Sequence, residues 1–276
     1  MDMADLRLVD AIAERGSFTA AAAHLRMSQP SVSARVARVE RTLGAPLFIR
    51  DPRGARLTEA GTASLGYVRR CLRLLEDGAS AAAAQTSAPP WRIGLPASYA
   101  PALTPLLLTL PAAGGRPMTV STGHSRDLRT AVLDGRLDLA VAHPGPLPAG
   151  LSRRHLLDTP ILAVAHPGTD PGDPGTGFAV HSWATDAEVV VTDLLGHGVD
   201  RRRIALVSPA TTALALASHH GYIAVVPELA ATDELRRGTV AHIPMTLPAT
   251  STALDWVHPA TPNPALEQFF ELQVGS

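Results

Sequence analysis

The chain has 276 residues, of which 46% are hydrophobic and 18% are charged. This is the balance of a folded globular protein, and the length suits one large domain or two to three smaller ones. A single cysteine, Cys71, excludes an intramolecular disulfide framework. The acidic N-terminus is unlike a signal peptide, and no apolar stretch reaches the roughly 18 residues of a membrane span. We therefore expect a soluble, cytoplasmic protein.

The net charge of −1 hides an uneven distribution of charge along the chain. Residues 1–90 contain twelve arginines and nine acidic residues, whereas residues 91–276 contain twelve arginines and sixteen acidic residues. Between Arg15 and Arg56 the net charge reaches +6. A short basic block joined to a mildly acidic remainder is typical of a nucleic-acid-binding module attached to another domain.

The N-terminal third is predicted to be mainly helical. Its predicted elements are a helix that ends at Gly16, helices over 18–24 and 28–43, a wing hairpin around 51–54 and a long helix over 58–84. Ser17 and Ser28 are good N-caps for the second and third helices. The polar, proline-bearing stretch 85–90 is the best domain boundary in the chain.

Beyond residue 90 the pattern changes to strands that alternate with helices, which predicts parallel βαβ units and an α/β domain. Strands are predicted over 91–95, 118–122, 137–142, 161–165, 204–207 and 222–226, and helices over 100–110, 125–133 and 211–218. The segment 188–195 fits either a strand or a helix. A glycine- and proline-rich segment, 167–177, follows one of the strands.

Residues 18–37 have the layout of a helix-turn-helix. The second helix of such a unit enters the major groove with its N-terminal residues at the base edges. Here those residues are Gln29, Pro30, Ser31, Ser33 and Ala34. Gln pairs bidentately with adenine, Ser bonds either class of base, and Pro or Ala contacts a thymine methyl group. The alternative is a structural three-helix bundle whose arginines are only solvated.

Several short motifs follow one another in this part of the chain: Gly16-Ser-Phe-Thr-Ala-Ala-Ala, Ser28-Gln-Pro-Ser-Val-Ser33, Leu43-Gly44, Leu47-Phe48-x-Arg50 and Leu57-Thr58-x-Ala-Gly61. Over about sixty residues, this pattern resembles that of the LysR-type transcriptional regulators. The resemblance implies an N-terminal winged helix-turn-helix, mainly α, over 1–60, then a linker helix for dimerisation and a hinge over 61–90. It also implies an α/β effector-binding domain over 91–276, similar to periplasmic binding proteins, with one lobe at about 91–160 and 245–276 and the other at about 161–244.

The expected partners are double-stranded DNA with an interrupted palindrome, a small-molecule effector and further copies of the chain in a dimer or tetramer, but no membrane. The residues predicted to contact DNA are Phe18, Thr19, Ser28, Gln29, Pro30, Ser31, Ser33, Ala34, Arg35, Arg38, Arg50 and Arg53. Arginines of the third helix suit phosphates, and Arg53 at the wing tip suits a neighbouring minor groove.

Ligands bind outside the carboxyl ends of parallel strands, so the loops after the predicted strands are the expected effector site. The candidates there are Ser98, Thr122, Ser125, His143 and Thr211. Hydroxyl groups and helix N-terminal amides favour a small anionic ligand. The alternative for Ser98 and Ser125 is that each only caps its helix.

No enzyme motif and no metal-ligand spacing is present, so we expect no catalysis, no metal site and no cofactor. Leu65, Val68, Leu72 and Leu75 recur at helical spacing and predict an apolar dimer seam on the linker helix. A helix packed onto its own α/β domain is the alternative. Two other functions stay open: a solute-binding or enzymatic α/β protein with an N-terminal oligomerisation bundle, and a regulator that needs no small molecule.

Overall fold

The computed structural model describes residues 1–51, 54–84, 90–109, 117–182, 186–248, 251–261 and 264–271. None of the helices in these ranges combines the length and the apolar character that a membrane crossing requires. Arg53 at the wing tip and most of the predicted boundary at 85–90 lie outside the described residues.

Three helices and a two-stranded hairpin form the N-terminal domain. They are α1 Met3–Arg15, α2 Phe18–His24, α3 Gln29–Leu43, β1 Phe48–Asp51 and β2 Gly54–Leu57. The hydroxyl oxygens of Ser17 and Ser28 accept backbone N–H groups at the starts of α2 and α3, as predicted. Val32, Val36 and Val39 point from α3 into the apolar core of the domain. The predicted winged helix-turn-helix is therefore confirmed.

The helix α4, Glu59–Ala84, follows the wing and packs along its own chain. Leu65 and Val68 are buried, and Leu72 packs against the apolar core of the N-terminal domain. Leu75 is largely exposed. Of the four residues predicted to form a dimer seam, Leu75 alone is thus largely exposed in the single chain, and pairing of two copies through this helix stays a prediction.

The first lobe of the α/β domain follows. It contains β3 Trp91–Pro96, α5 Ala100–Thr109, β4 Met118–Gly123, α6 Ser125–Leu133 and β5 Leu139–Ala142. Strand β3 pairs in parallel with both β4 and β5, which confirms the predicted βαβ units. Because parallel strands end at the same edge of a sheet, the loops after β3, β4 and β5 meet there.

Two long strands join the lobes, β6 Leu151–Ala165 and β11 Ser251–Pro259. The first part of β6 pairs antiparallel with β11, and its last part, from Ile161, pairs with β9 Tyr222–Pro227. The strand thus changes partner after Pro160. Its first ten residues were not predicted as a strand, and neither was β11.

The other elements of the second lobe are β7 Gly177–His181, α7 Asp186–Gly196, β8 Ile204–Val207, α8 Ala210–His219, α9 Glu228–Arg237 and β10 Ala241–His242. Strand β7 pairs in parallel with β8 and β9. Segment 188–195 lies in α7, so of the two structures that its sequence allowed, the helix is correct and the strand is not. The last described helix, α10 Pro264–Glu271, returns to the core of the first lobe through Phe269 and Phe270.

The long helix α4 docks on the first lobe as well as on the N-terminal domain. Arg69 of α4 donates to Asp10 of α1 over 2.7 Å and pairs with Asp134, just after α6, over 2.9 Å. Further along α4, Asp77 pairs with Arg92 of β3 over 3.0 Å. One arginine therefore connects the N-terminal domain, the linker helix and the first lobe.

Candidate nucleic-acid interface and interlobe cleft

The first turns of α3 are open to solvent. Gln29, Pro30, Ser31 and Ala34 are all exposed there. Ser28 caps the helix: its Oγ accepts the Ser31 N–H over 3.3 Å and lies 2.7 Å from the Ser31 Oγ. Both hydroxyls therefore stabilise the helix start, while Gln29 remains available to a partner.

Arg50 links the wing to the helix-turn-helix. Its guanidinium carbon lies 3.7 Å from the centre of the Phe18 ring, and its Nη1 donates to the Ser33 Oγ over 3.1 Å. Phe18 is buried and serves as the platform for this cation–π contact, whereas Thr19 beside it is exposed. These contacts hold Arg50 against the N-terminal half of α3.

Arg35 and Arg38, also predicted to contact DNA, are engaged by α1. Both form ion pairs with Asp2 and Asp5 at its N-terminus. These two carboxylates were not predicted from the sequence. The i, i+3 spacing of acidic residues at a helix start was the available signal, because it is typical of a capping box.

The second candidate site is the cleft between the two lobes, where β3, β4, β5 and β7 end. It encloses about 500 Å³. Four of the five residues predicted to bind an effector line it: Ser98, Thr122, Ser125 and His143. Thr211 is exposed in the first turn of α8 and is not among the described residues that line the cleft.

The described lining of this cleft is rich in basic side chains and contains no acidic one. Its basic residues include four that the sequence did not predict at this site: His124, Arg126, Arg129 and His181. Burial, together with the nearby Arg153, lowers the pKa of Arg129. The Nη1 of Arg129 donates to the His143 carbonyl oxygen over 2.9 Å. The described part of this wall therefore presents positive charge to the cleft.

Ser98 connects the two lobes across the cleft. Its Oγ accepts the Ala210 N–H over 2.9 Å at the start of α8 and lies 3.1 Å from the His181 Nε2. The Nδ1 of His181 lies 3.3 Å from the Val207 carbonyl oxygen, which can only accept. The Nδ1 therefore carries the proton, and the Nε2 accepts from the Ser98 hydroxyl. Burial lowers the pKa of His181 to about 4, so this imidazole is neutral near pH 7.

His143 is held in the first lobe by its neighbours. Its Nε2 lies 3.2 Å from the Tyr99 hydroxyl and its Nδ1 lies 3.3 Å from the Thr252 Oγ1. Its backbone N–H donates to the Ser125 Oγ over 3.1 Å. Burial raises the pKa of Tyr99 far above its usual range, so the phenol stays protonated. This network fixes the loop after β5 at the cleft.

Among the described residues, no three His, Cys, Asp or Glu side chains are grouped so that they could hold a metal ion. Cys71 is exposed on α4 in the single chain.

Two family models account for nearly the whole length of the chain. Residues 3–62 match the bacterial regulatory helix-turn-helix protein, lysR family, and residues 84–274 match the LysR substrate binding domain. The chain belongs to the LysR family. The resemblance inferred from the N-terminal motifs is thereby confirmed, and it extends to the α/β domain.

Relatives of this LysR-family chain are transcriptional regulators by name. It is 32% identical to the HTH-type transcriptional regulator AbaB of Streptomyces antibioticus over 60% of this chain and 57% of that protein. It is 28% identical to the HTH-type transcriptional regulator ClcR of Pseudomonas putida over 84% of each chain. The chain spans about half the length of the Streptomyces relatives that it matches.

The same fold occurs in a solved structure of full-length LysG from Corynebacterium glutamicum with its bound effector Arg. The two chains are 22% identical and superpose with a TM-score of 0.67 over 100% of this chain and 97% of LysG. The two-lobed α/β domain behind a winged helix-turn-helix is therefore the shared fold of this LysR-family chain and that protein.

Proposed function

We propose that the chain is a transcription regulator that binds double-stranded DNA through α3 and changes state when a small anion occupies the interlobe cleft. The observation that carries the DNA-binding part is the exposed first turn of α3, which contains Gln29, with the wing arginine Arg50 bonded to Ser33 on the same helix. Relatives that are transcriptional regulators support it. A regulator of this kind works in the cytoplasm and needs no catalysis of its own.

We propose that each predicted domain has its own role. We assign DNA binding to residues 1–60, the linker to 61–90 and effector binding to 91–276. Two or four copies on an interrupted palindrome match the symmetry that dimeric helix-turn-helix proteins share with their sites. The exposed apolar side chains of α4, Tyr67, Leu74 and Leu75, are the surface that we propose pairs two copies.

Replacing Gln29 with alanine is expected to reduce sequence discrimination by about 1–3 kcal/mol at one base pair of each half-site, because a bidentate base contact is lost. The measurement is a mobility-shift titration on the intergenic DNA beside the chain's own gene and on a scrambled duplex. Arg41→Gln on the same helix is the matched control, since losing a phosphate contact weakens both duplexes alike. An unchanged preference in the Gln29 variant would remove α3 from base readout.

For the cleft, we expect carboxylates to raise the melting temperature of the full chain. The probes are acetate, succinate, benzoate and inorganic phosphate at constant ionic strength and pH. Replacing Arg129 with methionine removes a cationic donor from the wall, so stabilisation by any active probe should fall at least about tenfold in apparent affinity. Thr211→Ala, outside the lining, is the matched control. If Arg129→Met keeps full stabilisation while Thr211→Ala loses it, the ligand binds at α8 and not in the cleft.

A further inference from the structure

The start of α1 and the middle of α3 face each other through four charged side chains. The Arg35 Nε lies 2.9 Å from the Asp5 Oδ1, and its Nη2 lies 3.0 Å from the Asp2 Oδ2. The Arg38 Nη2 lies 2.7 Å from the Asp5 Oδ1 and 2.9 Å from the Asp5 Oδ2. Two arginines of the recognition helix thus share two carboxylates of another helix.

The carboxylates are fixed in place by the backbone of α1. Asp2 is the N-cap: its Oδ1 accepts the Asp5 N–H over 2.9 Å, while the Asp5 Oδ2 accepts the Asp2 N–H over 2.8 Å. The side chain of Asp5 is fully buried. Burial alone would raise the pKa of Asp5, but hydrogen bonds from the Asp2 amide and from Arg38 lower it below its usual range. The capping box therefore holds two negative charges against α3.

These ion pairs lower the positive charge that α3 presents to a nucleic acid, because they engage Arg35 and Arg38. Carboxylates at 2.7–3.0 Å neutralise much of the charge of each guanidinium and fix its orientation, so each arginine attracts a phosphate less strongly. The bonds to Asp5 are charge-assisted and one partner is desolvated, so they resist exchange. Each phosphate contact contributes about 0.9 to the slope of log affinity against log salt. If neither Arg35 nor Arg38 contacts a phosphate, the magnitude of that slope is thus smaller by about two.

We propose that Asp2 and Asp5 are positioning residues that keep Arg35 and Arg38 away from DNA phosphates and thereby limit sequence-independent binding by α3. The inference rests on the proposed function, in that α3 must bind DNA. It assigns Arg35 and Arg38 to the orientation of α3 on α1, in place of the phosphate contacts expected from sequence. Specific affinity then depends on base contacts near Gln29, and binding to unrelated sequences stays weak.

The test measures binding of the full chain to a random duplex by fluorescence anisotropy between about 50 and 200 mM NaCl, the range over which phosphate contacts act strongly. Asp2→Asn and the double variant Asp2→Asn/Asp5→Asn remove charge while asparagine keeps the capping geometry. We expect affinity to rise about threefold to tenfold and the salt slope to steepen by about two in the double variant, because both arginines are released. Arg35→Gln should leave the slope of the wild-type chain unchanged and should cancel about half of the gain in the double variant, since Arg38 remains.

Glu14→Gln is the matched control, because it removes one charge from the same helix at its opposite, exposed end. If it gives the same gain as Asp2→Asn, the effect is one of net charge and the proposal is wrong. A slope that falls by about one in Arg35→Gln on the wild-type background means that Arg35 contacts phosphate, which also overturns it. A wild-type chain that binds no duplex at all contradicts the proposed function itself. Thermal melting of each variant confirms that α1 remains folded.

Discussion

Replacing Gly66 with alanine will detach α4 from the first lobe. A Cβ atom at this position would lie 2.5 Å from the carbonyl oxygen of Leu133 and 3.1 Å from its Cγ. The oxygen belongs to the backbone at the end of α6, so no rotation of a side chain relieves the overlap. Overpacking of this kind typically costs about 1–3 kcal/mol. We expect a lower free energy of unfolding and separate transitions for the two domains in place of a shared one.

The measurement is urea unfolding of the full chain, followed by fluorescence and circular dichroism. Gly78→Ala is the matched control on the same helix, because nothing lies within 4 Å of a Cβ added there. Removing a glycine from an open helical position stabilises by about 0.5–1 kcal/mol. Equal responses of the two variants would contradict the docking of α4. The ion pairs of Arg69 with Asp10 and Asp134 cross the same junction, so detaching α4 would also break contacts that join the N-terminal domain to the first lobe.

The second large effect is a loss of stability in acid that depends on His181. Its pKa in the folded chain is about 4, below its unfolded value of about 6.5. Between these two values the unfolded chain binds a proton that the folded chain does not. The free energy of unfolding therefore falls as the pH decreases through this window. From pH 7.5 to pH 5 we expect this residue alone to cost about 2 kcal/mol.

Unfolding of wild type and His181→Gln at both pH values isolates this contribution, since all other titrating groups are common to the two chains. His124, which lies close enough to lower the pKa of His181 by charge repulsion, remains in both. Wild type should lose about 2 kcal/mol more than the variant. Equal losses of unfolding free energy in the two chains would mean that the imidazole of His181 is already protonated at pH 5 in the folded chain. Protonation would also break the bond that Ser98 donates across the cleft.

The sequence predicted most of the elements that form the two sites. Ser17 and Ser28 mark helix starts through local hydrogen bonds, so α2 and α3 follow from a few neighbouring residues. The cleft residues Ser98, Thr122, Ser125 and His143 follow from the rule that parallel strands end at one edge.

What the sequence did not predict depends on contacts between distant segments. Helical periodicity indicates that Leu65 and Val68 are buried, but not whether a second copy or the same chain covers them. His181 was missed because β7 begins at the end of a glycine- and proline-rich segment. The pairing of Arg35 with Asp5 joins two helices 30 residues apart, and no local pattern reports it.

The most direct test of the central claim, that α3 reads DNA sequence, is selection of bound duplexes from a randomised pool by the full chain at about 150 mM salt, where non-specific binding is weak. We predict an enriched interrupted palindrome whose half-site centres lie about 10 base pairs or a multiple of that apart. In a parallel selection, Gln29→Ala should lose the preference at one position of each half-site. A pool that stays random after repeated rounds, or a palindrome identical for both chains, would contradict the claim.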